Sequence, residues 1–163
     1  MTRISVVIPA KNEAENIVSL VEGIDQAMAA HAPFEIIVVD DCSTDNSVAV
    51  LQSRAQTMPH LRIVRHDRSG GQSAAVHSGV RAATAPVICT LDGDGQNPPE
   101  ELPKLVTPIL NDATGRIGLV AGQRVGRQDT WSKKWASKFA NGIRGWMLQD
   151  GTRDTGCGLK AFR

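Results

Sequence analysis

A mainly parallel α/β sheet flanked by helices is the architecture this 163-residue chain predicts, and three observations carry it. Short β-branched runs alternate with stretches of helical period, as in strand–helix–strand units joined by right-handed crossovers. The early runs are predominantly apolar and β-branched, as strands covered on both faces are. Acids and glycines cluster just after the runs, where ligands bind in such sheets.

The elements follow in order. Ile4-Ser5-Val6-Val7-Ile8-Pro9 is a first, buried strand. Asn12 with Glu15 spells a capping box for a first helix, in which Ile17, Leu20, Val21, Ile24 and Met28 recur on one face. Residues 34–41 form a second strand ending in Asp40 and Asp41. Ser43-Thr44-Asp45 opens a second helix to about residue 56. Residues 61–65 are a third strand, and Gly70-Gly71-Gln72 leads into a helix over residues 73–83. Residues 86–91 are a fourth strand. A helix over 100–110 tolerates Pro103 in its first turn. Residues 118–122 are a fifth strand, residues 130–148 a longer helix, and residues 154–162 a turn leading into another strand.

Composition narrows the function classes. One domain of this length buries a real core. A net charge of +1 gives no whole-chain reason to expect nucleic acid as a partner. Cys42, Cys89 and Cys157 lie far apart with no C-x-x-C pair, against a disulfide framework or a zinc site and suited to a reducing compartment. The start lacks the apolar core of a signal peptide, and no run approaches the roughly 20 residues that span a bilayer. The histidines, His31, His60, His66 and His77, lack metal spacing and are read as surface or loop residues.

The stretch Thr90-Leu91-Asp92-Gly93-Asp94-Gly95-Gln96 carries the chemistry. On an extended backbone Asp92 and Asp94 share a side, with Gln96 in phase, which makes an oxygen-rich site for a hard divalent cation. A surface turn is the alternative, since Asp and Gly form turns anyway. Rival motifs fail. No G-x-G-x-x-G follows the first strand, no G-x-x-x-x-G-K-[ST] is present, and the EF-hand pattern breaks at Asn97 and Pro103. A nucleotide site built from acids remains. Asp40 can accept from a base N–H or a ribose hydroxyl, Asp92 serves the ribose or the cation, and Asp94 the cation. Because carboxylates repel a diphosphate, a divalent metal must bridge them. Gly70 and Gly71 allow close approach before a helix N-terminus.

Taken together, Val7-Ile8-Pro9-Ala10-Lys11-Asn12-Glu13, Val38-Val39-Asp40-Asp41-Cys42-Ser43-Thr44-Asp45 and Leu91-Asp92-Gly93-Asp94-Gly95-Gln96-Asn97-Pro98-Pro99-Glu100 resemble glycosyltransferase family 2. The likeness is nearest to its dolichol-phosphate mannosyltransferases and other polyprenyl-phosphate sugar transferases, and it covers essentially the whole chain. It implies a GT-A (Rossmann-like) fold, a nucleotide-sugar donor and Mg²⁺ or Mn²⁺. It places Pro9, Glu13, Val38 and Asp40 at the nucleotide, Asp92, Asp94 and Gln96 at the metal and diphosphate, and Arg124 near the donor phosphates. Residues 66–73 depart from the commoner Asn-x-Gly-x-Gly pattern, which leaves GDP-mannose and a UDP-sugar both open. The domain is expected to lack the C-terminal segments that many relatives carry.

All three tryptophans fall in residues 130–148. Trp131, Trp135, Phe139, Ile143 and Trp146 fill one half of a helical wheel, and Lys133, Lys134 and Lys138 the other. Such a helix suits a membrane interface or a lipid acceptor; the alternative packs its aromatic face on the sheet. The expected reaction is an inverting transfer of a hexose, mannose favoured, to a polyprenyl phosphate at the cytoplasmic face of a membrane. Asp94 and Asp154 are the candidate catalytic residues, Asp154 on the acceptor side. A soluble transferase using a UDP-sugar and a saccharide acceptor is one alternative. A nucleotide-sugar binding module without activity is the other.

Overall fold

The structure is a computed structural model, and it describes residues 2–123 and 157–163. Contacts divide the chain into two units, Met1–Val120 with Gly158–Arg163, and Ala121–Cys157. The first unit holds the sheet. Strands β1 (Ile4–Ala10), β2 (Phe34–Asp40), β3 (Leu61–Arg65), β4 (Val87–Thr90), β5 (Leu119–Ala121) and β6 (Lys160–Phe162) lie in the order β3-β2-β1-β4-β6-β5. β1, β2, β3 and β4 pair in parallel, and β6 runs antiparallel to β4. A mainly parallel α/β sheet is therefore what the chain forms.

β1 and β2 are buried along their whole length, as their predominantly apolar runs require, and Ser5 and Glu35 inside them pair, the Ser5 hydroxyl donating to Glu35 Oε1 at 2.6 Å. Helix α1 (Ile17–Met28) buries Ile17, Leu20, Val21, Ile24 and Met28, the stripe read from its spacing. α1 packs with α2 (Ser47–Ala55) and α4 (Leu102–Asn111). α3 (Gln72–Ala82) covers the other face over Val7, Ile37, Val39 and Ala75. At Gly79 the helix comes so close that an added Cβ would overlap Val7 Cγ1 and lie 3.1 Å from Val39 Cγ2.

Four local expectations are corrected. Asn12 does not cap α1, whose N-cap is Asn16. Instead Asn12 takes a left-handed backbone, φ 56°, and its Oδ1 accepts from the Thr44 N–H (2.8 Å) and hydroxyl (3.3 Å). α2 begins at Ser47 rather than near residue 43, because Asp45 Oδ1 accepts from both the Ser47 N–H and its hydroxyl. α4 begins at Leu102 after a 3₁₀ turn over Pro99–Glu101. β4 ends at Thr90 and residues 93–94 are a turn, so strand alternation is not what relates Asp92 to Asp94.

The order of strands locates the site. β1 leads to β2 and β3 on one side, and the chain then returns to place β4 on the other side of β1. The crevice at that reversal, beyond the carboxyl ends of β1 and β4, is where open α/β sheets bind ligands.

Candidate active site

A cavity of about 380 Å³ opens at that crevice. The end of β1 and the segment after it contribute Pro9, Lys11 and Glu13; the loop before α3 and the first residue of that helix contribute Ser69, Gly71 and Gln72; the turn after β4 contributes Asp92, Gly93 and Asp94. Gly93 is required here by proximity, since a Cβ would stand 2.7 Å from the Pro9 carbonyl oxygen. The glycine between the two acids lets the β4 turn lie against the end of β1.

The walls are fastened to one another. The loop after β1 is latched to the loop after β2: Asn12 N–H donates to Ser43 Oγ at 2.9 Å, Glu13 N–H to Ser47 Oγ at 2.9 Å, and Ala14 N–H to Asp45 Oδ2 at 3.1 Å. This explains the left-handed Asn12, and it sets Glu13 at the cavity. Bonds from Ser47 hold the Asp45 carboxyl below its ordinary value.

The adjacent acids after β2 have different employment. Asp41 is buried and its carboxylate is fully engaged. Oδ1 accepts from Gly70 N–H (2.7 Å) and faces His66 Nδ1 (2.8 Å), while Oδ2 accepts from the Ser69 hydroxyl (2.7 Å) and Gly71 N–H (2.8 Å). The Gly70 N–H first, then Ser69 and His66, hold its carboxyl well below the usual carboxylate range despite burial. Asp40, fully buried, keeps Oδ1 without a partner among the described residues, while Oδ2 lies 3.4 Å from the Ser43 N–H and 3.8 Å from Arg65 Nε. A buried acceptor without a donor is costly unless a ligand supplies one.

Asp92 is half-buried. Its Oδ1 accepts from Gln72 Nε2 at 2.6 Å and its Oδ2 from Asn97 Nδ2 at 3.3 Å. Each oxygen keeps further lone-pair capacity. Gly158 lies against this carboxylate so closely that a Cβ there would overlap it. The Gly158 carbonyl is fixed by the Thr90 hydroxyl at 2.7 Å. Asp94 is exposed, with Oδ1 accepting from the Gln96 N–H at 3.0 Å and Oδ2 without a partner among the described residues.

The fit of a divalent ion can be judged from these oxygens. Among the described residues no three His, Cys, Asp or Glu side chains are grouped to hold an ion by themselves. Two carboxylates at an open cavity do suit Mg²⁺ or Mn²⁺, which takes one or two acids and completes its shell with substrate phosphates and water. An ion bound there would meet Asp92 and Asp94.

Pro9, Glu13, Asp92 and Asp94 line one cavity. Val38 is buried within β2 and does not line it. Gln96 is exposed and enters through its backbone N–H. Arg124, Trp131, Trp135, Lys138 and Asp154 lie outside the described residues. Sequence reasoning missed Lys11, Ser69, Gln72 and Gly158 as parts of the site and the separate task of Asp41. The glycine pair before α3 was the available signal for Gln72; Gly158 falls in the turn read over residues 154–162, with no local sign that it meets Asp92. His66 is a loop residue as expected, though it joins Asp41 to Ser78 Oγ on α3 at 2.8 Å.

Comparison with known proteins bears on this arrangement. Residues 5–163 match the profile of glycosyl transferase family 2. An undecaprenyl-phosphate 4-deoxy-4-formamido-L-arabinose transferase of Sodalis glossinidius is 38% identical over 166 residues, 99% of this chain and 49% of that protein. Its counterpart in Proteus mirabilis is 37% identical over 167 residues, 100% of this chain and 49% of that protein. The chain spans about half the length of the curated relatives it matches. Among solved structures, a mannosyltransferase of Pyrobaculum calidifontis in complex with GDP-Man and Mn²⁺ superposes with a TM-score of 0.72 at 25% identity, over 98% of this chain and 44% of that one. Glucosyl-3-phosphoglycerate synthase of Mycobacterium tuberculosis, in complex with Mn²⁺, UDP and phosphoglyceric acid, gives 0.73 at 25% identity, over 99% of this chain and 55% of that one.

Proposed function

The chain belongs to glycosyl transferase family 2 and has the GT-A fold, and from that premise we propose that it forms the donor-binding part of an enzyme that transfers a sugar from a nucleotide-sugar to a polyprenyl phosphate. The observation that carries this reading is the pair Asp92 and Asp94 at the β1–β4 crevice, facing one cavity with Glu13. The relatives named for transfer to undecaprenyl phosphate support the acceptor class. Their names favour a 4-deoxy-4-formamido-L-arabinose-type sugar. Mannose from GDP-mannose is the second reading, supported by the Pyrobaculum neighbour with GDP-Man.

In the proposed reaction an acceptor phosphate oxygen attacks the anomeric carbon. The bond from that carbon to the diphosphate breaks, and the nucleoside diphosphate leaves with the electron pair. The acceptor is already anionic at neutral pH, so no strong base is needed. Asp40 Oδ1 is the acceptor for a base N–H, and Asp92 for ribose hydroxyls. A divalent ion held by Asp92 and Asp94, when bound, offsets charge on the leaving diphosphate. Asp154 is assigned to orienting the acceptor, Arg124 to the donor phosphates, and Trp131, Trp135 and Lys138 to contact with the membrane surface on the cytoplasmic side. Among the described residues no helix is long and apolar enough to cross a membrane.

A thermal-shift screen of GDP, UDP and their sugars with Mn²⁺ tests the donor. Transfer assays on undecaprenyl and dolichyl phosphate against oligosaccharides test the acceptor. Turnover on oligosaccharides alone would replace the lipid acceptor, and metal-dependent nucleotide binding with no product would reduce the chain to a binding module.

A further inference from the structure

Asp92 is the acid on which donor binding turns in the proposed function, and its orientation is set from outside the β4 turn. The shortest bond to it is from Gln72 Nε2, 2.6 Å from Oδ1. Gln72 is the first residue of α3 and lies twenty positions before Asp92 in the chain. Its backbone is aimed by Gly71, which takes φ +83°, a conformation costly for any other residue. The Asp41 carboxylate in turn fixes the Gly70 and Gly71 N–H groups. His66 ties Asp41 to Ser78 one and a half turns into the helix. Every link from the buried Asp41 to the end of the Gln72 side chain is thus a specific bond, and the chain of links ends on Asp92.

We propose that Gln72 is a positioning residue of the donor site, acting through Asp92. Its amide donates to one side of Oδ1, Asn97 Nδ2 reaches Oδ2 at 3.3 Å, and each oxygen keeps a further lone pair for the donor and its ion. Glutamine suits this task because it supplies an N–H without a competing charge. Gln72 is exposed and contributes little to the core, so its replacement leaves the fold intact. The inference rests on the reading of Asp92 as a donor-site residue, and the test separates the two.

The test is a double-mutant cycle on the full chain, with the affinity for UDP and for GDP, each with Mn²⁺, read by calorimetry. Gln72→Leu is expected to weaken binding of the nucleotide that the wild type prefers by about tenfold, the range seen when a residue supporting a metal ligand is lost. Asp92→Ala is expected to weaken it at least as much. Adding Gln72→Leu to Asp92→Ala should then change the affinity by less than about twofold, because the partner through which Gln72 acts is gone. Gln72→Glu, which sets a carboxylate against a carboxylate, should cost more than Gln72→Leu. An equal loss from Gln72→Leu in both backgrounds would mean that Gln72 acts independently of Asp92, and the proposal would fall. So would an unchanged affinity in Gln72→Leu alone. If Asp92→Ala binds nucleotide as the wild type does, or if the wild type binds neither nucleotide, the donor-site reading itself fails and the inference goes with it.

Discussion

Gly158 and Asp92 are 66 residues apart in sequence, yet the Cα of the one abuts the carboxylate of the other. Any side chain at position 158 would begin in the space that the carboxylate occupies. The contact is between backbone and the far end of a side chain, so relief is available by turning Asp92 away. The cost therefore falls on the site rather than on the fold. Gly158→Ala is expected to leave the melting temperature within about 2 °C of wild type, a change of less than about 1 kcal/mol, while nucleotide affinity with Mn²⁺ drops about tenfold. A large fall in melting temperature with unchanged affinity would contradict this account.

Asp94 offers an exposed carboxylate with one oxygen unpartnered, and its loss removes half of the proposed ion-holding pair. Asp94→Asn should reduce sugar transfer by about a hundredfold or more, the scale of losing a charge-stabilising group in a transfer reaction. The melting temperature should not move, since no core contact is lost. Steady-state transfer with Mn²⁺ varied over a wide range checks it. Turnover like that of the wild type would remove Asp94 from the chemistry.

Glu35 provides a pH-dependent contribution to stability at the opposite end of the strands from the site. Burial alone would raise its carboxyl; bonds from Ser5, from the side chain and backbone of Thr84, and from Arg62 outweigh burial and bring it down from 4.5 to about 2. A depressed folded-state value means that the stabilisation is present in full above about pH 4.5 and is lost as the pH falls toward 2. It corresponds to about 3 kcal/mol at neutral pH. Glu35→Gln should accordingly unfold at lower urea than wild type at pH 7, and the gap should close between pH 5 and about 2. A gap independent of pH would assign the effect to packing.

Gly79 is the point where α3 meets the sheet. Gly79→Ala adds a methyl that overlaps Val7 and crowds Val39, both buried and held on all sides. Overpacking of this kind costs about 1–3 kcal/mol. Urea unfolding should show a lower midpoint with an unchanged slope. A midpoint equal to wild type would mean that α3 can move outward freely.

How much of this was legible in the sequence depended on whether the signal was local. The stripe Ile17–Leu20–Val21–Ile24–Met28 and the apolar runs of β1 and β2 report burial directly, because periodicity is a property of consecutive residues. Asn12 was misread for the same reason. Asn followed by Glu three residues later is a genuine capping pattern, but the bonds it makes are to Thr44, on another loop. Asp40 and Asp41 are chemically identical neighbours, and only the path of residues 66–71 gives one four donors and leaves the other an empty oxygen. Gln72 and Gly158 act on Asp92 from distant segments, and no spacing rule connects them. The acids of the site could be read locally, whereas the residues that aim them could not.

β6 sits between β4 and β5, so among the described strands the one latest in sequence occupies an interior place in the sheet. Synthesis from the N-terminus therefore cannot finish this domain in order. The β3-β2-β1-β4 portion can settle as soon as α4 has emerged, whereas β5 has no sheet neighbour until residues 160–162 arrive. Asp92 likewise meets its final boundary, Gly158, only at that moment. A nascent chain paused before residue 158 would hold the β1 and β4 walls but an unfinished one around Asp92. The wall around Asp92 is therefore completed by the arrival of β6 and not by that of β4, which ties the final form of this crevice to a non-local pairing.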